Sequence, residues 1–266
     1  MIPPTGPALR HFALLLAALT PLLVACTSNT SGPQGDGSAA TQDTSVSGGP
    51  AAPIEPAPLT LHFQHHFSGA PLSLGESYDL GGTSYAFDTL RYWITAVKLR
   101  REDGSWHEVP SAYYLVEQTP ARTRTSVPLV DLPAGVYTAV SYDVGVDEEH
   151  NHNLDMFEGE LEAGIDMDWG WNSGFIFLKT EGAWSGGMTF AFHIGTDTNL
   201  RTVQHTLSGP TPTDDTSEVS VTIAVDLSSL FETFDVSAHH FVTFSPEDKA
   251  TEVIENFISG HTLTAP

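Results

Sequence analysis

The chain has 266 residues, of which 33 are acidic and only 10 are lysine or arginine, giving a formal net charge of −23. A surface this acidic repels phosphate backbones and anionic lipid head groups, which excludes nucleic-acid binding and a charge-driven membrane association. The length is sufficient for one sizeable domain with its own hydrophobic core.

The first 25 residues have the features of a lipoprotein signal peptide. Arg10 precedes the apolar run from Phe12 to Ala25, which has the length of a signal h-region and is too short to span a bilayer as a helix. The run ends in Leu-Val-Ala-Cys, similar to the lipobox of bacterial lipoproteins. We expect Cys26 to be lipidated and to anchor the protein, and Thr27 favours the outer membrane, facing the periplasm or the cell surface.

Residues 26–58 are predicted to form a disordered tether. After Cys26 this segment is dominated by Ser, Thr, Gly, Pro and Ala and contains no aromatic residue, lysine or arginine. Such a composition buries too little apolar surface to offset its ordering entropy, and about 30 residues reach roughly 30 Å. The globular domain then covers residues 59–266. Because Cys26 is the single cysteine, a metal site must use histidine, methionine or oxygen ligands.

The domain is predicted to be all-β, an antiparallel β-sandwich with short C-terminal helical segments. Its apolar residues alternate with period two in short runs that are separated by Gly and Pro turns. The predicted strands include Leu59–Phe63, Leu90–Leu99, Tyr113–Val116, Val136–Val144, Phe175–Leu178, Met188–Ile194 and Val219–Val225. Helices are predicted at Leu227–Phe234 and Pro246–Ile258, with Ser245 as the cap and Gly260 as the end of the second helix.

The first strand places one histidine on an apolar face. Leu61, Phe63, His65 and Phe67 share that face, whereas the neighbouring residues, among them His62 and His66, face the other way. A buried imidazole needs partners for its nitrogens. Either a metal ion or ordinary hydrogen bonds would satisfy His65.

An acidic segment after the fourth of these strands imitates a calcium loop. Oxygen-bearing side chains occur at nearly every second position and a carboxylate closes the series: Asp147, Glu149, Asn151, Asn153, Asp155 and Glu158. The central glycine of a calcium loop is absent, and His152 stands there. A solvated acidic loop is the alternative, and His150 and His152 could instead hold copper or zinc loosely.

The segment from Met167 to Gly195 is the richest in groups that bind soft metals or can be oxidised. Met167 offers a thioether and His193 an imidazole, ligands that suit copper, and Trp169 and Trp171 offer electron-rich rings. The tryptophans could equally act as packing anchors.

Six motifs occur in the order seen in the MbnP-like family of methanobactin-associated periplasmic copper proteins, which the chain therefore resembles over its whole globular part. They are Phe63–Leu72, Leu90–Ile94, Leu132–Tyr137, Val144–Asp147, Met167–Gly182 and Phe192–Gly195. The resemblance implies a β-sandwich that binds copper. In some family members it also implies a tryptophan oxidised to kynurenine by a di-haem partner enzyme resembling cytochrome c peroxidases.

Carried over to this chain, the resemblance makes His65 and His193 the leading copper ligands, joined across the sandwich and favouring Cu(I). His62, His66 and Met167 are further candidate ligands. Family members with kynurenine have a tryptophan near the first-strand histidine, where this chain has Phe67. Trp169 is the residue we predict for such a modification.

No enzyme motif supports a catalytic role. The sequence has no Gly-x-Ser-x-Gly elbow, His-Glu-x-x-His helix or phosphate-binding glycine loop. We therefore predict a surface-tethered copper-binding lipoprotein that captures, stores or delivers the metal and is not an enzyme. The alternative is a metal-independent β-sandwich lipoprotein whose aromatic residues form an adhesion or glycan-binding surface.

Overall fold

The computed structural model describes residues 59–264, except 131, 154, 157, 163–164, 170–173, 214–218 and 245–246, and without the side chains of 208–213. The predicted signal peptide, the predicted lipidation site Cys26, the predicted tether, Trp171 and the predicted cap Ser245 lie outside the described residues. No helix in the described part of the chain is long and apolar enough to cross a membrane.

The described residues form mostly strands, arranged in two sheets. The strands are β1 (Leu59–Phe67), β2 (Ala70–Pro71), β3 (Tyr78–Leu80), β4 (Thr83–Arg101), β5 (Trp106–Glu108), β6 (Tyr113–Gln118), β7 (Thr123–Arg124), β8 (Ser126–Leu129), β9 (Gly135–Val144), β10 (Ile176–Trp184), β11 (Met188–Gly195), β12 (Arg201–Thr213), β13 (Val219–Asp226), β14 (Phe241–Val242) and β15 (His261–Leu263). The helices are α1 (Glu148–Asn151), α2 (Ser229–Glu232) and α3 (Glu247–Ser259), with a 3₁₀ turn at Asp197–Asn199.

The smaller sheet has the order β15-β13-β1-β2, and β8 also pairs with β1. The period-two alternation predicted for β1 is confirmed: Leu61, Phe63, His65 and Phe67 are buried, whereas His62 and His66 lie on the opposite face. The β1–β13 pair is parallel, so the sandwich is mixed at this point and not purely antiparallel. This pairing brings the C-terminal residues of the chain next to its first strand.

The larger sheet has ten strands, in the order β12-β9-β4-β10-β11-β14; β3, β5 and β6 also pair with the long strand β4, and β7 pairs with β6. The inner faces of the two sheets meet in the main core. Phe63 of β1 packs edge-on against Tyr92 and Tyr142 of the larger sheet, with ring centroids 6.0 and 5.6 Å apart. The predicted β-sandwich is therefore confirmed.

A second, smaller apolar cluster lies on the other side of the larger sheet. It consists mainly of residues from β4, β6 and β10 together with residues from the segment between β9 and β10: Trp93, Leu115, Val146, Leu161, Met167, Trp169, Phe175, Ile176 and Phe177. Because these side chains cover part of the sheet's outer face, the segment between β9 and β10 is held against that face.

The C-terminal helix closes the sandwich. Its buried side chains are Ala250, Val253, Ile254 and Phe257, the spacing of one helical face. Gly260 ends the helix as predicted, and a β-carbon there would lie 2.3 Å from the carbonyl oxygen of Asp226. The chain can therefore turn directly from α3 into β15 only with glycine at this position.

Candidate metal centre

His65 lies in the core between the sheets with both ring nitrogens satisfied. Its Nδ1 lies 2.8 Å from Oε1 of Gln118, which can only accept, so Nδ1 donates. The Nε2 of neutral His65 then accepts from the hydroxyl of Tyr92 at 3.0 Å. Burial lowers the pKa of His65 to about 4, although the Gln118 hydrogen bond opposes that shift. Burial thus keeps His65 neutral, and protein partners satisfy both of its ring nitrogens.

A second buried histidine, which the sequence interpretation missed, stands in the same row of side chains. The register places His65 beside Val225, and Val225 beside His261. The Nδ1 of His261 lies 2.8 Å from the hydroxyl of Tyr142, while its buried Nε2 has no hydrogen-bond partner among the described residues. Burial lowers the pKa of His261 to about 3.

His193 lies on the opposite face of the larger sheet. In β11 the apolar Phe192 and Ile194 face the core, so His193 between them faces outward, beside Lys179 of β10. His65 meets the inner face of this same sheet through Tyr92. The structure therefore does not bring His65 and His193 together, since the pleat of β11 turns His193 away from the core.

His193 is oriented in the manner of many metal-binding histidines. Its Nε2 lies 2.7 Å from Oε1 of Glu181, and because a carboxylate accepts, Nε2 carries the hydrogen. The lone pair of neutral His193 is then on Nδ1. A carboxylate that fixes one ring nitrogen and leaves the other as the ligand is the usual second shell of a metal-bound histidine.

Trp169 lies next to His193 and anchors the outer segment. The two rings have centroids 6.5 Å apart, and Trp169 is 8% exposed. Gly195, on the same face as His193, provides the space: a β-carbon there would lie 2.9 Å from the indole Nε1 and 2.6 Å from the carbonyl oxygen of Phe175. The Phe-His-Ile-Gly motif thus supplies both the imidazole and the gap into which Trp169 packs.

The remaining candidate copper ligands lie elsewhere. Met167 is fully buried in the outer apolar cluster, and its carbonyl accepts from the backbone N–H of Ile176 at 2.8 Å. His62 pairs with the hydroxyl of Ser126 at 2.9 Å on the outside of the smaller sheet, the face on which His66 also lies. Both histidines point away from the core face of β1 that carries His65, because alternate residues of a strand face opposite sides.

The predicted calcium loop takes a different form. Residues 148–151 form the helix α1 with Asp147 as its cap, so alternate residues no longer point toward one centre. Asp147 and Glu158 instead flank His150, whose Nδ1 and Nε2 lie 3.0 and 3.1 Å from their carboxylate oxygens. Asn151 points inward, and its Oδ1 accepts from the N–H of Phe175 at 2.7 Å.

Glu149, Asn153 and Asp155 complete the predicted calcium set. They do not gather around one point with Asp147, Asn151 and Glu158, which are themselves separated. Glu149 is an exposed residue of α1. The side chain of Asn153 accepts from the backbone N–H of Asp155 at 3.3 Å, a local turn contact. The helical fold of this segment therefore disperses the six oxygen-bearing residues.

A different group of metal-binding side chains assembles at this place. Glu148, His152 and Asp197 each offer a ligand atom, and these atoms all lie within 4.8 Å of one another. His152 and Asp197 line a cleft together with Trp169 and Phe244. The sequence interpretation named His152 alone, although the spacing of four between Glu148 and His152 is the signal of a shared helical face.

The comparisons with known proteins give one family-model match and one similar solved structure. The sequence model of the MbnP family matches residues 56–248. Among solved structures, MbnP from Methylosinus trichosporium is similar, with 17% sequence identity, a TM-score of 0.49, and coverage of 69% of this chain and 80% of that chain. A search of curated proteins gives no match. Since the family match covers most of the sequence, the chain belongs to the MbnP family.

Proposed function

We propose that this protein is an exported, lipid-anchored copper-binding protein that captures, stores or delivers copper and does not catalyse a reaction. Membership of the MbnP family supports a copper-related role. The observation that carries the proposal is the outward-facing His193, fixed by Glu181 at 2.7 Å and flanked by Trp169. Trp169 and Glu181 come from one motif and His193 from another, and the three residues meet on one face of the larger sheet.

The proposed copper ligand is Nδ1 of His193. Glu181 fixes the orientation of the ring and leaves Nδ1 as the nitrogen that can act as a ligand, as second-shell carboxylates do. Lys179 is next to His193 in the neighbouring strand, but its ammonium is paired with Asp166 and lies 3.9 Å from Glu181. The positive charge beside the site is therefore compensated, which lowers its repulsion of a copper cation.

Trp169 is the residue proposed for oxidation to kynurenine by a di-haem partner enzyme. Its ring stands beside His193 and also lines the cleft with His152 and Phe244. Oxidation there would add polar groups directly at the proposed copper site. Intact-mass analysis of the protein purified from its host should show the fixed increment of this conversion, located in the peptide containing Trp169. A native mass for that peptide would contradict the modification.

The copper ligand is tested by competition with a chromophoric Cu(I) chelator. His193→Ala should lose tight Cu(I) binding, and Glu181→Gln should weaken it by about 10–100-fold, the range of second-shell substitutions. His240→Ala is the matched control, because His240 is an exposed histidine that is not part of the proposed copper site.

His65 provides the discriminating variant. Since His65 lies on the inner side of the larger sheet, His65→Gln should leave Cu(I) affinity unchanged. If His65→Gln abolished binding and His193→Ala did not, copper would be bound in the core and the outer site would be wrong.

A metal-independent adhesion or glycan-binding role is the second candidate, favoured by one exposed apolar patch. Met188 and Phe241 are 50% and 59% exposed, and they border a hollow with Trp184 and His240. Aromatic surfaces of this kind stack on sugar rings. A glycan array should give binding that Phe241→Ala removes if this role is correct, with copper affinity unchanged.

A further inference from the structure

A second metal site can be built on the outer segment from three side chains that the copper proposal does not use. Glu148 lies in α1, and His152 is the C-terminal cap of that helix. A spacing of four residues places two side chains on the same helical face. Asp197, the first residue of the 3₁₀ turn, approaches from the other side, and the ligand atoms of all three lie within 4.8 Å of one another.

The position of Asp197 is fixed by a buried amide. The side-chain N–H of Asn151 donates to Oδ1 of Asp197 at 2.7 Å, which leaves Oδ2 directed at Nε2 of His152, also at 2.7 Å. Asn151 is itself held by the N–H of Phe175, which donates to its Oδ1 at 2.7 Å. One carboxylate of the group is therefore positioned by a residue that is 3% exposed, not by mobile surface side chains alone.

The group has an open side for an incoming ion. His152 and Asp197 lie in the wall of a cleft that Trp169 and Phe244 also line. An ion bound there would have three protein ligands on one side and water on the other. This is the ligand count of an open, exchangeable site and not of a closed structural one.

The ligand chemistry selects the class of cation. One imidazole and two carboxylates suit borderline divalent ions such as Zn²⁺ and Cu²⁺. Cu(I) prefers softer ligands, and Ca²⁺ requires six to eight oxygen ligands. We propose that Glu148, His152 and Asp197 form a binding site for a borderline divalent cation, separate from the Cu(I) site at His193. This proposal does not rest on the proposed copper function.

Protons compete with the metal at this site. Because a metal ion needs the deprotonated imidazole of His152, the affinity should fall as the pH decreases. A carboxylate-only site would keep its affinity to lower pH, so the pH profile identifies the imidazole.

The probe is Zn²⁺, titrated calorimetrically into the full-length protein. Wild type should bind one equivalent at this site, and His152→Ala and Glu148→Gln should each weaken the affinity by about tenfold or more, because even second-shell partners are worth about 10–100-fold. Asp197→Asn should do the same. His240→Ala is the matched control and should bind like wild type. Unchanged Zn²⁺ affinity in both His152→Ala and Glu148→Gln, or no binding by wild type, would overturn the proposal.

Different variants test the two proposed metal sites. His193→Ala should retain Zn²⁺ binding and lose Cu(I), whereas His152→Ala should do the reverse. Loss of both metals in either variant would show a single shared site and would overturn the separation stated above. Trp169 provides an independent readout, since Cu²⁺ bound in the cleft should quench its fluorescence in wild type but not in His152→Ala.

Discussion

The environment and the pKa of the histidines differ between the two faces of the larger sheet. On the inner face, His65 and His261 pair with the hydroxyls of Tyr92 and Tyr142 and are withdrawn from water. Burial lowers the pKa of these two imidazoles to about 4 and about 3. Burial therefore keeps these two core histidines neutral above about pH 4.

The outer face keeps its histidines beside carboxylates. Burial alone would lower the pKa of His150, but hydrogen bonds and charge interactions with Asp147 and Glu158 raise it. Asp197 raises the pKa of His152 directly. The contrast shows that burial keeps the core histidines neutral, whereas carboxylate partners favour the charged form of the histidines on the outer segment.

The largest effect that tests this contrast is acid destabilisation of the core. The folded-state pKa values of His65 and His261 lie below the ordinary 6.5, so the unfolded chain binds more protons in acid. Their contribution to stability is complete above that value and is lost as the pH falls below it. Between pH 7 and pH 5, the free energy of unfolding should decrease by about 2 kcal/mol for each histidine.

Denaturant titrations at a series of pH values measure the slope of the unfolding free energy against pH, which we call the acid slope. His261→Phe should remove about half of the loss, because one of the two buried imidazoles is gone, whereas His240→Phe should leave the slope unchanged. A wild-type unfolding free energy that stays constant between pH 7 and pH 5 would contradict the assignment of neutral core histidines.

The next largest loss of stability is expected at Asn151, the buried side chain that hydrogen-bonds to Phe175 and Asp197. Asn151→Ala removes the acceptor of the buried Phe175 N–H and the donor to Asp197. An unsatisfied buried N–H costs about 1–3 kcal/mol, so the unfolding free energy should fall by about 2 kcal/mol. The amide of Phe175 should also exchange faster with solvent. If the acid slope of the core changed as well, the two faces would not be independent.

The sequence was sufficient to predict the fold class and the burial of His65. Strict alternation along β1 specifies which residues face the core, so Leu61, Phe63 and His65 are found where the pattern places them. The second buried histidine next to that row, His261, could not be predicted from the sequence. His261 reaches it only because β1 and β13 pair in parallel, and long-range pairing leaves no local signal in the sequence.

The alternation of residues in β11 predicts that His193 faces away from the core. The prediction that His193 joins His65 across the sandwich did not use this alternation. Phe192 and Ile194 alternate with His193 in one apolar run, which already directs the imidazole away from the core. The α1 helix had a signal too, since Asp147 before two glutamates is typical of a helix start. Asp197 could not have been found, because only tertiary folding brings it to His152.

A smaller loss of stability is expected when the hydroxyl that hydrogen-bonds to His65 is removed. Tyr92→Phe leaves the Nε2 of His65 without the 3.0 Å hydrogen bond while keeping the ring contacts in the core. The unfolding free energy at pH 7 should fall by about 1 kcal/mol, the usual net value of one hydrogen bond. Tyr85→Phe is the matched control, because the ring of Tyr85 is stacked on Phe231 and should retain that packing. Equal losses in the two variants would show that the His65–Tyr92 hydrogen bond contributes nothing.

The smallest effect, a change in titration with little change in stability, compares the faces most directly. In an NMR titration, His150 should gain its proton above the ordinary pH range of a histidine, whereas His65 should remain neutral down to about pH 4. Glu158→Gln removes the acceptor 3.1 Å from Nε2 of His150 and should shift its titration to lower pH, leaving His65 unaffected. Because the carboxylate acts on the charged imidazolium and the core acts through burial, only the outer histidine should respond. A shift of both resonances would mean that charge on the outer segment is transmitted through the sheet.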